Sequence, residues 1–137
     1  MKIGELAKKS RLSAHTLRYY EKSGLLKPSQ RGENNYRLYN QNDLDTARFI
    51  KRARGIGFSL EEVGLFLSIR SDLPAHVCAD AKAWADQKIK DVQRQIRELK
   101  EVLSALHKLS DACCGGNESA EYCTIIEALD HQDVLNP

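Results

Sequence analysis

No stretch of this sequence is apolar for the roughly 18 residues that a membrane-spanning helix needs, so no membrane partner is expected. The opening MKIGELAKKS lacks the apolar core of a secretory signal. A cytoplasmic, reducing setting follows as the expectation. Cysteine is scarce, with four in 137 residues, and in such a setting these read as thiols or metal ligands rather than disulfides. The usual marks of catalysis are also missing. There is no glycine-rich phosphate loop after a strand, no H-E-x-x-H, and no paired carboxylates in a recognisable setting. An enzyme is therefore not expected. The length fits one compact domain, or a small domain with an appendage.

Charge is distributed unevenly. Residues 1–74 hold 14 Lys/Arg against 8 Asp/Glu, whereas residues 75–137 hold 7 against 11. A basic half joined to an acidic half suggests that the first half meets a polyanion. Ile3, Leu6 and Ala7 form an apolar stripe at helical spacing, ending at Lys8, Lys9 and Ser10. Ser13 is placed to cap a second helix, His15 to Ser23, with Gly24 beyond it. Leu17 and Tyr20 face inward on that helix, leaving His15, Thr16, Arg18 and Tyr19 on the other side. Two short helices and a tight turn of this kind fit helix-turn-helix geometry. Gly32 to Asn35 then reads as a turn and Tyr36 to Tyr39 as a short strand, making a small hairpin wing. Arg31 and Arg37 flank it, where they can meet phosphates. Among the tyrosines, Tyr20 and Tyr36 read as core residues, more so than Tyr19 and Tyr39. Asn42 or Asp43 is expected to cap a third helix, and Ser59 with Glu62 forms a capping box for a fourth, Leu60 to Ile69.

The segments IGELAKKSRLSAHTLRYYEKSGLLKP, NYRLY and R-x-x-GFSLEEVGLFLSI together resemble the N-terminal region of MerR-family transcription regulators. The resemblance covers residues 1–70. It implies a mainly α fold: a winged helix-turn-helix with a β-hairpin wing and a helical wing, then a long dimerisation helix. It also implies a homodimer on an inverted-repeat, double-stranded promoter, acting with RNA polymerase. Carried over by position, Arg18 and Tyr19 fall on the recognition helix, Arg37 and Tyr39 on the hairpin wing, and Arg54 on the helical wing, all as DNA contacts.

From Ala81 to Leu109 there is neither Gly nor Pro. Ala85, Ile89, Val92, Ile96, Leu99, Leu103 and Leu106 repeat at alternating spacings of 4 and 3, an a/d seam. Such a rod, about 43 Å long, cannot bury its seam alone and calls for a partner helix. The repeat does not set the direction of pairing; the resemblance implies antiparallel. Trp84 lies off the seam and is expected to pack on the DNA-binding part or on the cysteine loop. The division expected is residues 1–74 for DNA binding, 75–110 for dimerisation, and 111–137 for a metal-binding loop and short helix.

Cys78 precedes the long helix; Cys113, Cys114 and Cys123 follow it. Gly115 and Gly116 allow the chain between them to bend back. Thiols gathered in this way suit a soft or borderline metal such as zinc, although the spacing is not that of a C-x₂-C pair of structural zinc ligands. Cys123, at the start of the short helix expected from Tyr122 to Asp130, has a thiolate favoured by a helix N-terminus. Buried small side chains or a thiol redox switch are the competing readings. If two rods pair antiparallel, as the resemblance implies, Cys78 of one chain approaches Cys113, Cys114 and Cys123 of the other.

The C-C-G…Y-C pattern with Cys78 upstream resembles the zinc-responsive branch of the family. That branch has a histidine four residues after the paired cysteines, where this chain has Glu118. Glu118, and His76 close to Cys78, are additional candidate ligands. The function expected is a metal-responsive regulator, with Zn²⁺ as effector, or Cd²⁺, Pb²⁺ or Hg²⁺. Metal binding would distort the promoter and so activate metal-resistance or efflux genes. A thiol redox regulator of the same fold is the alternative.

Overall fold

In the computed structural model of the chain, residues 1–28 and 30–135 are described. They divide into two compact units, Met1–Ala85 and Asp86–Pro137.

The first unit begins with α1 (Ile3–Ser10) and α2 (Ala14–Lys22). Arg11 adopts the left-handed conformation and ends α1, its N–H bonding to the Ala7 carbonyl. Ser13 caps α2 as expected, its side chain accepting from the Thr16 N–H at 3.0 Å. The wing is short. Strand β1 (Gln30–Arg31) pairs antiparallel with β2 (Arg37–Leu38), aligning Gln30 with Leu38 and Arg31 with Arg37. Asn34 and Asn35 both have positive φ, 61° and 62°, in the intervening turn, a conformation that asparagine tolerates well.

Helix α3 (Gln41–Gly55) starts earlier than expected. Asn40, not Asn42 or Asp43, is its cap. Asp43 is the reciprocal partner, so the two form a capping box. Helix α4 (Leu60–Ser71) carries the expected box of Ser59 and Glu62. Leu6, Leu17, Leu26, Ile50 and Val63 are fully buried where α1 to α4 converge. Phe58 stacks edge-on against Phe66, and Phe66 against Trp84, with ring centroids 4.8 and 5.4 Å apart. The first of Trp84's two expected packing sites, the DNA-binding part, is the one observed.

Helix α5 is continuous from Cys78 to Asp111. It begins three residues before the expected Ala81. The Asp80 carboxylate accepts from the Val77 N–H at 3.1 Å and so closes its first turn. In the single chain Ile89, Val92, Ile96, Leu99, Leu103 and Leu106 are all exposed. In the second unit, a one-turn 3₁₀ segment, Ala120–Tyr122, leads into α6 (Thr124–His131). Among the described residues no helix is long and apolar enough to cross a membrane.

Candidate DNA surface and candidate metal loop

Helix α2 presents His15, Arg18 and Tyr19 at its exposed face, with Tyr19 51% exposed. Thr16 is partly turned inward, its hydroxyl 2.8 Å from that of Ser13. Lys2, Arg18, Arg31 and Arg37 line one shallow groove of about 560 Å³, together with Gly4 and Tyr36. Among the described residues no acidic side chain lines it, so the groove is a site of positive potential, suited to phosphate. Nothing in the residue spacing marks Lys2 as part of this surface. Its ammonium sits 5.2 Å from the centre of the Tyr36 ring, an arrangement that only the folded wing creates.

The wing arginines are braced. Arg31 donates to the Asn35 carbonyl across the turn at 3.2 Å. Arg37 pairs with Glu21 at 3.0 Å, which joins the wing to the recognition helix. Arg54 donates to the Phe58 carbonyl at 3.0 Å and fastens the turn between α3 and α4.

Tyr39 differs from its expected role as a DNA contact. It is 2% exposed, and its hydroxyl donates to the Glu21 carboxylate. Its backbone also pairs with Met1, the Tyr39 N–H donating to the Met1 carbonyl at 2.7 Å. Burial, then the bond to Glu21, pushes the Tyr39 hydroxyl well above the ordinary tyrosine range. Tyr36, read as core, is 59% exposed. The two tyrosines exchange places because the Met1 pairing turns Tyr39 inward.

A second basic concavity, of about 540 Å³, is lined by Lys9, Ser10, Arg11, Arg48, Lys51 and Arg52. Arg48 donates to the Lys9 carbonyl at 3.2 Å and Lys51 to the Arg11 carbonyl at 3.0 Å. Cations on α3 thus serve the C-terminal end of α1, where the helix dipole favours them. Spacing along the chain could not reveal a contact between residues about forty positions apart.

In the second unit, the Thr124 hydroxyl donates to the Ala112 carbonyl at 2.7 Å. This bond clamps the base of the cysteine loop. Cys113 follows one clamp residue and Cys123 precedes the other, so the two thiols lie near each other at the base of the loop. The Cys123 thiol is lowered from its ordinary range. The backbone N–H groups of Ile126 and Ile125, at the start of α6, are the main cause; the Cys113 thiol adds to them, and burial opposes. Gly115 turns the loop with φ of 72°. Cys114 donates to the Glu118 carboxylate at 3.7 Å. Cys113, Cys114, Cys123 and Glu118 all line one concavity of about 390 Å³.

The loop donors therefore stand in two pairs. Among the described residues no three His, Cys, Asp or Glu side chains are grouped closely enough to hold an ion as they are. The donor set suits a thiophilic cation, but completing a coordination shell requires the pairs to close together or a further ligand to arrive. All four cysteines carry free thiols, and Cys78 is exposed at the first turn of α5. His76 lies beside Asp80, its Nδ1 3.4 Å from the carboxylate. That pairing occupies one ring nitrogen.

Residues 1–68 match the family described as MerR HTH family regulatory protein, and residues 44–109 match the one described as MerR, DNA binding. The chain is 42% identical over 129 residues to the HTH-type transcriptional regulator ZntR of Escherichia coli K12, covering 94% of this chain and 92% of that protein. The crystal structure of the transcription regulator PbrR691 from Ralstonia metallidurans CH34, in complex with lead(II), superimposes with a TM-score of 0.84. It is 34% identical, with 94% of this chain and 98% of that one covered. A dual-function regulator, MerR from Bacillus megaterium MB1 in complex with mercury(II), gives a TM-score of 0.70 at 33% identity, with 95% and 99% covered.

Proposed function

The chain belongs to the MerR family of transcription regulators, and we propose that it is a regulator whose effector is a metal ion. The observation that carries this reading is the clamped loop, which holds three thiols and a carboxylate around one concavity. The lead and mercury complexes of similar chains support it, as does the likeness to ZntR. Zinc is the effector we favour, with Cd²⁺, Pb²⁺ and Hg²⁺ as the other divalent candidates. Thiolate donors accept all four.

The chain works as a homodimer. The exposed a/d seam of α5 has no cover in the single chain and takes a second copy. An α-helix of 34 residues spans about 51 Å; Cys78 stands at its first residue and the cysteine loop follows its last. Antiparallel pairing would supply Cys78 of each chain to the loop of the other, giving the pairs their further ligand. Residues 1–74 form the DNA-binding part, 75–110 the dimerisation helix, and 111–137 the metal loop and short helix. His15, Thr16, Arg18, Tyr19, Arg31, Arg37 and Arg54 are the DNA contacts, and Lys2 joins them.

The dimer binds an inverted repeat whether or not it holds metal. The ion activates by stabilising the conformer that bends and untwists the promoter, allowing RNA polymerase to engage it. An ion bound equally by both conformers would change nothing. The Cys113–Cys123 contact also suits a thiol redox switch, the competing reading. Transcription in vitro from the cognate promoter separates the two. Under strict reduction, added Zn²⁺ should raise transcript yield. A response to oxidant alone, with none to any of the four ions, would overturn the metal reading.

A further inference from the structure

Trp84 is the side chain by which α5 meets the core of the first unit. Among the described residues no apolar side chain of α5 packs directly on that core. Trp84 reaches it through Phe66 of α4, with ring centroids 5.4 Å apart and planes at 83°. Phe66 in turn meets Phe58, buried at the turn between α3 and α4, at 4.8 Å and 64°. The first compact unit ends at Ala85, one residue beyond Trp84. At its far end the stack meets Arg54. The Phe58 carbonyl accepts from the Arg54 guanidinium at 3.0 Å, and the Phe58 N–H donates to the Ala53 carbonyl at 3.2 Å. The Gly57 N–H closes the same turn on the Arg54 carbonyl at 3.0 Å. Ring and guanidinium are thus two ends of one braced turn. At the near end stands Cys78, under two turns, or about 9 Å, before Trp84 on one uninterrupted helix.

Resting on the metal reading above, we propose that Trp84 is a positioning residue: the Trp84–Phe66–Phe58 stack sets the Arg54 turn according to the position of α5, and so carries an effector's pull on Cys78 to a DNA contact. An ion that draws Cys78 acts on the helix that bears Trp84. Edge-to-face rings keep preferred distances and angles. Close-packed side chains adopt discrete arrangements and pass a displacement on rather than absorb it. The Arg54 turn therefore follows the ring of Phe58. Breaking the stack uncouples the two ends and leaves each able to bind, the ion at one and the operator at the other.

The test uses the reduced full-length protein, whose one tryptophan reports on the stack alone. Zn²⁺ added to the wild-type operator complex should change the Trp84 emission; an unchanged spectrum on zinc binding would overturn the proposal without any variant. Trp84→Leu keeps an apolar side chain and removes the ring. It should leave operator and zinc affinity within about threefold of wild type, yet lower zinc-induced transcription in vitro by about fivefold or more. Phe66→Leu should do the same. Trp84→Phe, which keeps an edge-on ring, should recover most of the induction. Wild-type induction in Trp84→Leu, or a loss of operator affinity large enough to account for the missing transcript, would overturn the role of Trp84 and leave the metal reading standing. Wild-type protein that none of the four divalent ions induces would overturn both.

Discussion

Tyr39→Phe removes one oxygen atom from the point where the wing meets the recognition helix. The ring is 2% exposed, so its packing is retained and the hydroxyl alone is lost. That hydroxyl donates to Glu21, whose side chain is only 9% exposed. A hydrogen bond to a charged group contributes about 1.5–3 kcal/mol. Glu21 keeps its second partner, Arg37, at 3.0 Å, so the carboxylate is not orphaned. Arg37 is 41% exposed, which makes the ion pair itself worth no more than about 1 kcal/mol. The expected cost of Tyr39→Phe is therefore at the lower end, about 1.5–2 kcal/mol. Urea denaturation of the full-length protein at fixed concentration should show it as a midpoint lower by roughly 1 M with an unchanged slope. The pH dependence has a definite sign. Because the folded hydroxyl is raised, the bond contributes fully below the ordinary tyrosine value of about 10, and it weakens as pH rises above that. A double-mutant cycle with Glu21→Gln should give a coupling of about 1 kcal/mol. A Tyr39→Phe protein within about 0.5 kcal/mol of wild type would refute the bond and the view that it fixes the wing.

Further outcomes follow from the same geometry. Cys113→Ser and Cys123→Ser should each bind operator normally in gel-shift titration yet lose metal-induced transcription; normal induction in both would remove the loop from the mechanism. Arg18→Ala should weaken operator binding by about 1–3 kcal/mol and leave zinc affinity unchanged, as checked by operator titration and metal competition on one preparation. Asn40→Ala and Ser59→Ala should each cost about 1 kcal/mol of stability. Losses below about 0.3 kcal/mol in chemical denaturation would show that these capping boxes are not formed in solution.

Local rules carried the sequence reading a long way. Ser13 and the Ser59–Glu62 box are where the capping rules put them, because each cap satisfies N–H groups only three residues away. The same rules point to Asn42 or Asp43 for the third helix, and the fold uses Asn40. Its box is Asn40 with Asp43, a pairing that does not display the usual S/T-x-x-E signature. Helix α5 starts three residues before the run free of Gly and Pro, since that run says nothing of a first turn closed by Asp80. Tyr36 and Tyr39 could not be told apart by alternation in a two-residue strand. What separates them is a backbone pairing with Met1, 38 residues away. In the loop, the cysteines were visible as candidates, whereas their division into pairs depends on the Thr124–Ala112 clamp. The approach of the Glu118 carboxylate to the Cys114 thiol is likewise a matter of the folded loop. Neither can be seen in a string of residues.

The central claim is that each ion is held by Cys78 of one subunit and the loop of the other. Metal binding by a mixed dimer tests it most directly. One subunit carries Cys78→Ser and the other carries Cys113→Ser with Cys123→Ser. Shared sites leave this dimer one intact loop facing one intact Cys78, so it should bind half the wild-type complement of zinc at wild-type affinity. A dimer with Cys78→Ser in both subunits should then hold no high-affinity zinc; sites built from the loop of a single subunit would keep both ions in it, and that result would contradict the claim.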